Sequence, residues 1–366
     1  MRIVMLNSLL TDQYKEYVGR QDHALFSSSL LFCNFIISLM PVPEIIPFYF
    51  MVMDDKDRIC GVLPSFVCKG KYGSVLNSMP WYGSNPGVLS DNHGVFYLLL
   101  DAFNKTAEWL GCASSTIVTR PFEPMSDYFS YYSRNRSDRR LIINSRTGMM
   151  TPLPEYSKNL ESDLFNLFDS KTRNQIRKGY KETEIFSCDY MTDIQRNSVI
   201  EWTRLKHQEN MIRLGAPSKD KEFDLFKTWD FGKDINIFVA ATPEDSKPQA
   251  ALLLKYFNKT VDYCIPVIDV EYRHSCAMNA CIMTAMKDAT EKGYRWWNWG
   301  GTNKETMPGV YHFKKNFGGV ECQYNYFTTL YDDNLLDIPK EELWAEYPFF
   351  FVLPYDLLND RVKTRG

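Results

Sequence analysis

Positively charged side chains recur at helical spacing in one segment of the sequence. Arg173, Arg177 and Lys181 follow one another at intervals of four residues, in a segment from Ser170 that has the pattern of a helix. Residues four apart lie on one face of a helix, so the three cations form a basic stripe. Arginine offers a fork of N–H donors that matches phosphate oxygens. The stripe therefore fits the diphosphate of a nucleotide-linked or lipid-linked precursor, or else it is a solvated helix face.

Aromatic residues and glycines beside strand ends are a second group of candidates. Trp81 and Tyr82 follow a proline in a loop where their rings are able to stack on a sugar or a peptide; packing in the core is the alternative. Gly300 and Gly301 would let the main chain approach a substrate, although glycine pairs also mark bulges and turns. These residues indicate a binding surface without naming its ligand.

A general base is harder to assign. Asp269 and Glu271 lie near the end of a predicted strand, but the sequence indicates no partner for either carboxylate. A substrate that assists its own deprotonation would need no base from the protein. We therefore leave the base unassigned.

The composition is that of a globular protein. The chain has 366 residues, 42 Lys and Arg against 45 Asp and Glu, a net charge of −3 and 45% hydrophobic residues. These values exclude a disordered or fibrous chain, and the length suggests two domains. The near-neutral balance argues against a protein that coats nucleic acid, so we predict no DNA partner.

The cysteines, the histidines and the hydropathy of the sequence indicate the cellular compartment. The nine cysteines contain no CxxC pair and the five histidines no HExxH motif, which predicts a reducing compartment and no metal. Residues 25–53 are the most apolar stretch, but prolines and polar residues interrupt it, so we predict a core helix, a loop and a strand there. We expect a cytoplasmic protein that makes at most peripheral contact with the inner membrane.

One pattern of elements occurs twice along the chain. Strands are predicted at residues 48–53, 60–67 and 73–77, a helix at 95–110 that Gly111 ends, and a strand at 115–119. The same order returns about 190 residues later, with strands at 235–241, 250–257 and 261–267, a helix at about 275–292, Gly293, and a strand at 296–299. Two copies of a β-β-β-α-β unit are the economical interpretation, and chance similarity is the alternative.

The boundary between the copies is predicted near residue 150. An arginine-rich segment, 134–146, and the prolines at 152 and 154 separate them. We assign residues 1–150 to the first lobe and 151–366 to the second. The aromatic residues 347–351 are predicted to wrap back onto the body of the protein, with a membrane-facing segment as the alternative.

Three stretches resemble the Fem family of aminoacyltransferases, which build peptidoglycan cross-bridges. They are residues 78–83 (SMPWYG), 171–178 (KTRNQIRK), and 297–302 (WNWGGT) together with 310–319 (VYHFKKNFGG). Their order and spacing match over nearly the whole chain, while the long coiled-coil arm of some members has no counterpart here. The resemblance implies an α+β fold of two tandem GNAT-like lobes, each a mixed sheet flanked by helices. The first lobe would bind the acceptor, and the second would bind the donor and carry catalysis.

The resemblance also implies an activity and its residues. Members of the family transfer an acyl group from aminoacyl-tRNA to an amine of a nucleotide- or lipid-linked glycan or peptide precursor, held between the lobes. Lys314, in the Phe-Lys pair of the motif, would hold phosphate and stabilise the developing charge, unless it is a solvated surface lysine. Lys315 is the adjacent competitor, and on a strand the two would face opposite sides. Substrate-binding residues would be Trp81, Tyr82, Arg173, Arg177, Asn298, Gly300, Gly301, Tyr311 and Phe313.

The donor is open between aminoacyl-tRNA and acyl-CoA, with no tightly bound cofactor. GNAT enzymes that use CoA seat its pyrophosphate at the N-terminus of the helix after the third strand, where Arg273 and Ser275 would contact the donor. In this loop Cys276 and Met278 occupy the positions where the CoA motif has Gly and Gly or Ala, small residues that permit a close approach, and this disfavours CoA. Ser275 is also a plausible helix cap.

The sequence is therefore compatible with three functions. We expect a Fem-like N-acyltransferase of the cell envelope, with tRNA as a partner. The alternatives are a CoA-dependent enzyme that acylates an amino sugar in surface polysaccharide synthesis, and a lobe pair that only binds a glycan or a peptide.

Overall fold

The predicted duplication is visible in the order of the elements. In the computed structural model, residues 1–40, 45–81, 85–134, 139–216 and 220–354 are described. The elements of the first part of the chain are β1 (Arg2–Met5), α1 (Thr11–Gly19), α2 (Leu30–Leu39), β2 (Ile45–Met53), β3 (Ile59–Gly70), β4 (Gly73–Asn77), β5 (Leu89–Ser90), α3 (His93–Trp109), β6 (Cys112–Val118), α4 (Met125–Arg134) and β7 (Arg140–Pro152).

The second part repeats the pattern. Its elements are α5 (Leu160–Leu167), α6 (Ser170–Glu182), β8 (Glu184–Ser187), α7 (Asp193–Leu214), α8 (Asp220–Phe226), β9 (Ile235–Ala241), β10 (Pro248–Phe257), β11 (Thr260–Ile268), α9 (Ala277–Glu291), β12 (Trp296–Thr302), α10 (Pro308–Asn316), β13 (Val320–Leu330) and α11 (Lys340–Glu346). The unit β2-β3-β4-α3-β6 thus recurs as β9-β10-β11-α9-β12. The predicted fold class, a mixed αβ fold in which the β-β-β-α-β unit occurs twice and helices flank the strands, is confirmed.

The chain divides into two compact units. The first is Met1–Thr147 with Cys322–Gly366, and the second is Gly148–Glu321. The predicted boundary near 150 is close to the observed one, but the assignment of residues 322–366 to the second lobe was wrong. These residues join the first unit because β13 pairs with β6, where Tyr326 lies opposite Val118 and Leu330 opposite Ser114.

The sheet of the first unit is covered by α3. Its strand order is β1-β2-β3-β4-β6-β13, followed by the first part of β7, with β5 against β3. Asn92 caps α3 by accepting a hydrogen bond from the main-chain N–H of Val95. From there Val95, Leu99 and Phe103 recur every four residues, and all three are completely buried. Each such side chain stabilises the fold by about 1.5–3 kcal/mol through removal of apolar surface from water.

The C-terminal segment is fixed to the first unit by side chains. The Asn77 amide donates to the main-chain oxygen of Phe351 at 3.1 Å and accepts from its N–H at 2.6 Å. The Thr116 hydroxyl donates to the same Phe351 oxygen. Tyr347 and Phe350 are completely buried. The segment therefore wraps onto the body as predicted, and the membrane-facing alternative for these aromatic residues was wrong.

The second unit is built around α9. Its strand order is the last part of β7, then β12-β11-β10-β9-β8. The buried face of α9 is rich in small residues, among them Ala277 and Ala280. This allows α6 to approach closely, since a Cβ on Gly179 of α6 would lie 2.7 Å from the Cys276 oxygen and 2.9 Å from the Ala280 Cβ.

The apolar stretch at residues 25–53 forms α2 and β2, as predicted, and the intervening residues 41–44 lie outside the described part of the chain. Among the described residues, no helix has the length and apolar character that crossing a membrane requires.

Candidate functional site

The candidate site lies where β12 separates from β11. The two strands are parallel and pair at three positions, ending with Asp262 opposite Asn298. There the Asn298 amide donates to the Asp262 carboxylate at 2.9 Å, and its oxygen accepts the main-chain N–H of Gly300 at 2.9 Å. Gly300 has a φ of +68°, a left-handed conformation that favours glycine. The glycine pair thus turns the end of β12, which is the turn alternative named from sequence.

The segment that carries Lys314 is a helix and not a strand. Helix α10 starts with Pro308 in its first turn and buries Tyr311 and Lys314, one turn apart. Lys315 is exposed. The expectation that only one of the two lysines points inward is met, but the reason is helical spacing and not the alternation of a strand.

The Lys314 ammonium is buried. Its side chain is 6% exposed, and Nζ donates to the main-chain oxygens of Trp299 at 2.9 Å and Gly301 at 2.5 Å. It forms no ion pair with the described residues, so one of its three N–H groups is left for another acceptor. Burial lowers the pKa of Lys314 to about 8. The alternative of a solvated surface lysine was wrong.

Aromatic rings hold the lysine and the strand end in place. Trp299 packs against Phe313 and Phe317, with ring centroids 6.1 and 5.6 Å apart. The Trp299 indole N–H donates to the Thr151 hydroxyl, which in turn donates to the Phe317 oxygen. The strand end whose carbonyl groups accept hydrogen bonds from Lys314 is therefore held by packed aromatic side chains.

Tyr311 faces an acidic partner that the sequence analysis did not identify. Its hydroxyl donates to Glu321, and this hydrogen bond raises the pKa of Tyr311. The Lys304 ammonium lies 5.5 Å from the centre of the Tyr311 ring. The ring thus links α10 to the start of β13.

Asp262 is a second site residue that sequence reasoning missed. Burial raises the pKa of its carboxyl group, and the positive charge of Lys255 and the Asn298 amide oppose that shift. A single acidic residue inside the apolar run of β11 was the available signal. The residues considered as bases are placed otherwise: Asp269 accepts from the Glu271 N–H and pairs with Lys206 at 3.1 Å, and Glu271 is exposed.

The basic stripe begins beside the end of α10. The Asp169 side chain caps α6 at Thr172, and the Asp169 N–H donates to the oxygen of Asn316, the last residue of α10. Arg173 is half-buried in the next turn, and its side chain forms no hydrogen bond or ion pair with the described residues. Arg177 is exposed, donates to Asn174 and lies over the Phe165 ring. The stripe is therefore near α10 at its Arg173 end.

In the predicted donor loop, Ser275 forms hydrogen bonds with neighbouring residues of the chain. The Ser275 hydroxyl donates to the Tyr272 oxygen and accepts the Ala277 N–H, which agrees with its capping alternative. Cys276 begins α9 with a φ of +61°, and α6 packs against its carbonyl group. Arg273 is exposed on the turn before it.

Trp81 belongs to the first unit and is held by the C-terminal segment. Its ring stacks on Phe349 at 4.3 Å and meets Phe35 edge-on at 5.7 Å. Its N–H donates to the Phe349 oxygen, and its φ is +90°. This placement agrees with the core alternative. Tyr82 lies outside the described residues.

Comparison with known proteins identifies the segment that carries this geometry. Residues 233–324 match the model of the FemAB family. The predicted resemblance is thereby confirmed. The FemAB segment contains Asp262, Asn298, the two glycines and Lys314, whereas Trp81 and the basic stripe lie outside it. Residues from β11, β12 and α10 thus meet within one family segment.

Solved structures extend the likeness to most of the chain. A crystal structure of FemX shares 13% identity and a TM-score of 0.67, covering 94% of this chain and 99% of FemX. A conserved protein of unknown function from Bacteroides thetaiotaomicron shares 12% identity and a TM-score of 0.57, with 90% and 99% covered. The C-terminal domain of a putative lysylphosphatidylglycerol synthetase from Agrobacterium fabrum shares 10% identity and a TM-score of 0.54. The match covers 88% of this chain and 92% of that domain. At these identities the likeness is one of fold. No curated protein has a significant sequence match to the chain.

Proposed function

We propose that this chain is an N-acyltransferase that moves an activated aminoacyl group, preferably from aminoacyl-tRNA, to an amine on a cell-envelope glycan or peptidoglycan precursor. The FemAB segment and the FemX-like fold support a transferase of this class. The observation that carries the proposal is the buried Lys314 ammonium, which has one N–H unused by the described residues.

The chemistry asks for positive charge where negative charge develops. The neutral amine attacks the ester carbonyl carbon, a C–N bond forms, the C–O bond to the ribose breaks, and the amine proton ends on the released hydroxyl group. A desolvated ammonium interacts more strongly with an oxyanion or a phosphate than a hydrated one does. With a pKa of about 8, Lys314 is mostly protonated at pH 7 and can act in this way. Arg173, near the end of α10, would hold a phosphate group of the precursor.

Asp262 and Asn298 would act through the strand end. Their hydrogen bonds fix the Gly300 N–H, and the next residue supplies an oxygen to Lys314. In this role they position the ammonium and need not exchange a proton with the substrate.

The donor is tested directly. The purified protein is supplied with charged tRNA or labelled acyl-CoA and with a panel of amine-bearing envelope precursors. We expect product from charged tRNA. Product from CoA esters alone would replace the proposed donor, and ligand binding without turnover with either donor would indicate a binding protein.

The role of Lys314 is tested with its neighbour as the control. We expect Lys314→Ala, and the more nearly isosteric Lys314→Met, to lower kcat/KM at least a hundredfold with folding intact, because the charge at the oxyanion is lost. Lys315→Ala should behave as wild type, since that side chain is exposed. Wild-type kinetics in both Lys314 variants would remove the residue from the site.

A further inference from the structure

A cavity in the first unit is lined by residues that belong neither to the three Fem-like stretches nor to the basic stripe. Its volume is about 410 Å³, and its walls come from α3, α4, the start of β7 and the end of β13. A neighbouring cavity of about 310 Å³ shares Glu108, Arg139 and Tyr331 with it. Both are formed entirely by residues of the first unit.

The aromatic walls of the larger cavity are fixed in place. The Tyr131 hydroxyl donates to Asp101 at 2.8 Å and accepts from the Asn104 amide at 3.3 Å. The Tyr132 ring stacks on Phe327, with centroids 5.6 Å apart and planes within 10°. The Tyr331 hydroxyl lies 3.2 Å from that of Ser115. Because these rings are already oriented, a ligand would lose little free energy in ordering them.

The polar groups of the cavity are spaced along α3. Asp101 and Glu108 are seven residues apart, roughly 10 Å along the helix. Lys105 lies between them, 3.5 Å from Asp101. The Glu108 carboxylate is exposed and forms no hydrogen bond or ion pair with the described residues. The Arg139 guanidinium lies 5.6 Å from the centre of the Tyr331 ring.

This lining selects among ligand classes. The charges of the two carboxylates and the two cations cancel. A phosphate would therefore be repelled by the carboxylates as well as attracted by the cations. A peptide is commonly recognised through main-chain groups at a strand edge, whereas the charged groups here are helix and loop side chains. A pyranose ring has an apolar C–H face that packs on tyrosine, and a hydroxyl rim that both donates and accepts hydrogen bonds.

We propose that this cavity binds a saccharide of about two rings that carries no net negative charge. The tyrosine faces hold the rings, and Asp101, Glu108 and Arg139 bond the hydroxyl groups. The cavity shares no lining residue with the Lys314 site and needs no acyl donor, so the proposal stands whether or not the proposed transfer reaction is correct.

Binding is measured without donor, by calorimetry and by saturation-transfer NMR on the full chain. The probes are N,N′-diacetylchitobiose and cellobiose, with inorganic phosphate and dialanine as comparison ligands. We expect saturable binding of at least one disaccharide and none of the comparison ligands. Failure of both disaccharides to bind, or equal binding of phosphate or dialanine, would overturn the proposal.

Variants locate the binding. Glu108→Ala removes an exposed carboxylate and should weaken disaccharide binding at least fivefold, and Tyr331→Leu should weaken it further. Glu291→Ala, near the end of the corresponding helix α9, is the matched control and should bind as wild type. Circular dichroism checks folding, and if Tyr331→Leu does not fold, Glu108→Ala decides alone. Wild-type affinity in Glu108→Ala would place the binding elsewhere and refute the assignment.

Discussion

Lys314 combines two properties that few lysines share. Its ammonium is buried, and its described acceptors are main-chain oxygens and not carboxylates. Carbonyl dipoles replace only part of the lost hydration, which is why burial lowers the pKa to about 8. Such a group is a strong ligand for an anion and is also able to lose its proton just above neutral pH.

The lowered pKa predicts how stability changes with pH. Between pH 8 and the ordinary lysine value of 10.5, the unfolded chain keeps a proton that the folded chain has lost. The free energy of unfolding of the wild type should therefore rise with pH in this window, relative to Lys314→Met, by about 1–3 kcal/mol. Below pH 8 the difference between the two proteins should be constant. Urea denaturation at a series of pH values measures it, and parallel curves up to pH 10.5 would contradict the buried ammonium.

Asp262 is expected to position the strand end through its hydrogen bond. Asp262→Ala should lower kcat/KM about tenfold or more, because the Asn298 amide loses its acceptor and the Gly300 turn its support. Asp262→Asn keeps an acceptor oxygen and should recover most of that activity. Steady-state kinetics on the two variants, with melting temperatures for folding, makes the comparison. An inactive Asp262→Asn would show instead that the charge itself is required.

At the scale of elements, α10 shows where sequence reasoning succeeded and where it failed. Strand β9 was predicted at its observed limits, because a short apolar run bounded by turn residues is a strong local signal. Lys314 was considered on a strand although Tyr311, Lys314 and Phe317, all buried, recur every three residues. This spacing is present in the sequence, but a series of buried positions that includes a lysine does not look like the apolar face of a helix. Burial of an ammonium is decided by tertiary contacts that no local pattern specifies.

The contact between α6 and α9 depends on the missing side chain of Gly179. Gly179→Ala should lower the free energy of unfolding by about 1–3 kcal/mol, since the new Cβ would meet the Cys276 oxygen at 2.7 Å. Gly309→Ala in α10 is the control, because its Cβ would enter open space and alanine favours the helix by up to about 1 kcal/mol. Thermal and urea denaturation test the pair. Equal stability of both variants would mean that the helices separate without cost.

At the scale of the whole molecule, the repeat could be predicted from the sequence, but the return of residues 322–366 to the first unit could not. Each copy of β-β-β-α-β has its own periodicity and turns, so it could be found locally. The pairing of β13 with β6 joins residues about 200 positions apart and leaves no signal in either strand. For the same reason the cavity bounded by α3 and β13 could not be anticipated.

The hydrogen bonds of Asn77 to Phe351 are expected to hold the C-terminal segment against the first unit. Asn77→Leu should destabilise the protein by about 1–3 kcal/mol, because the buried Phe351 N–H loses its acceptor. Ser65→Ala is the control, since the Ser65 hydroxyl is also buried but makes only a 3.3 Å bond two residues away. Hydrogen exchange of residues 347–353 should increase in Asn77→Leu alone. Unchanged exchange would show that the Tyr347 contacts suffice.

The return of β13 to the first unit has a consequence during synthesis on the ribosome. Strand β6 is complete at residue 118, but the strand that covers its edge has not yet been translated. At roughly 5–20 residues per second, that edge waits about 10–40 s. The second unit is continuous in sequence and can fold in the interval, so the half of the protein made first is the half finished last. An open strand edge exposed for so long invites pairing with other nascent chains, and slower translation would lengthen an exposure that the mature fold no longer displays.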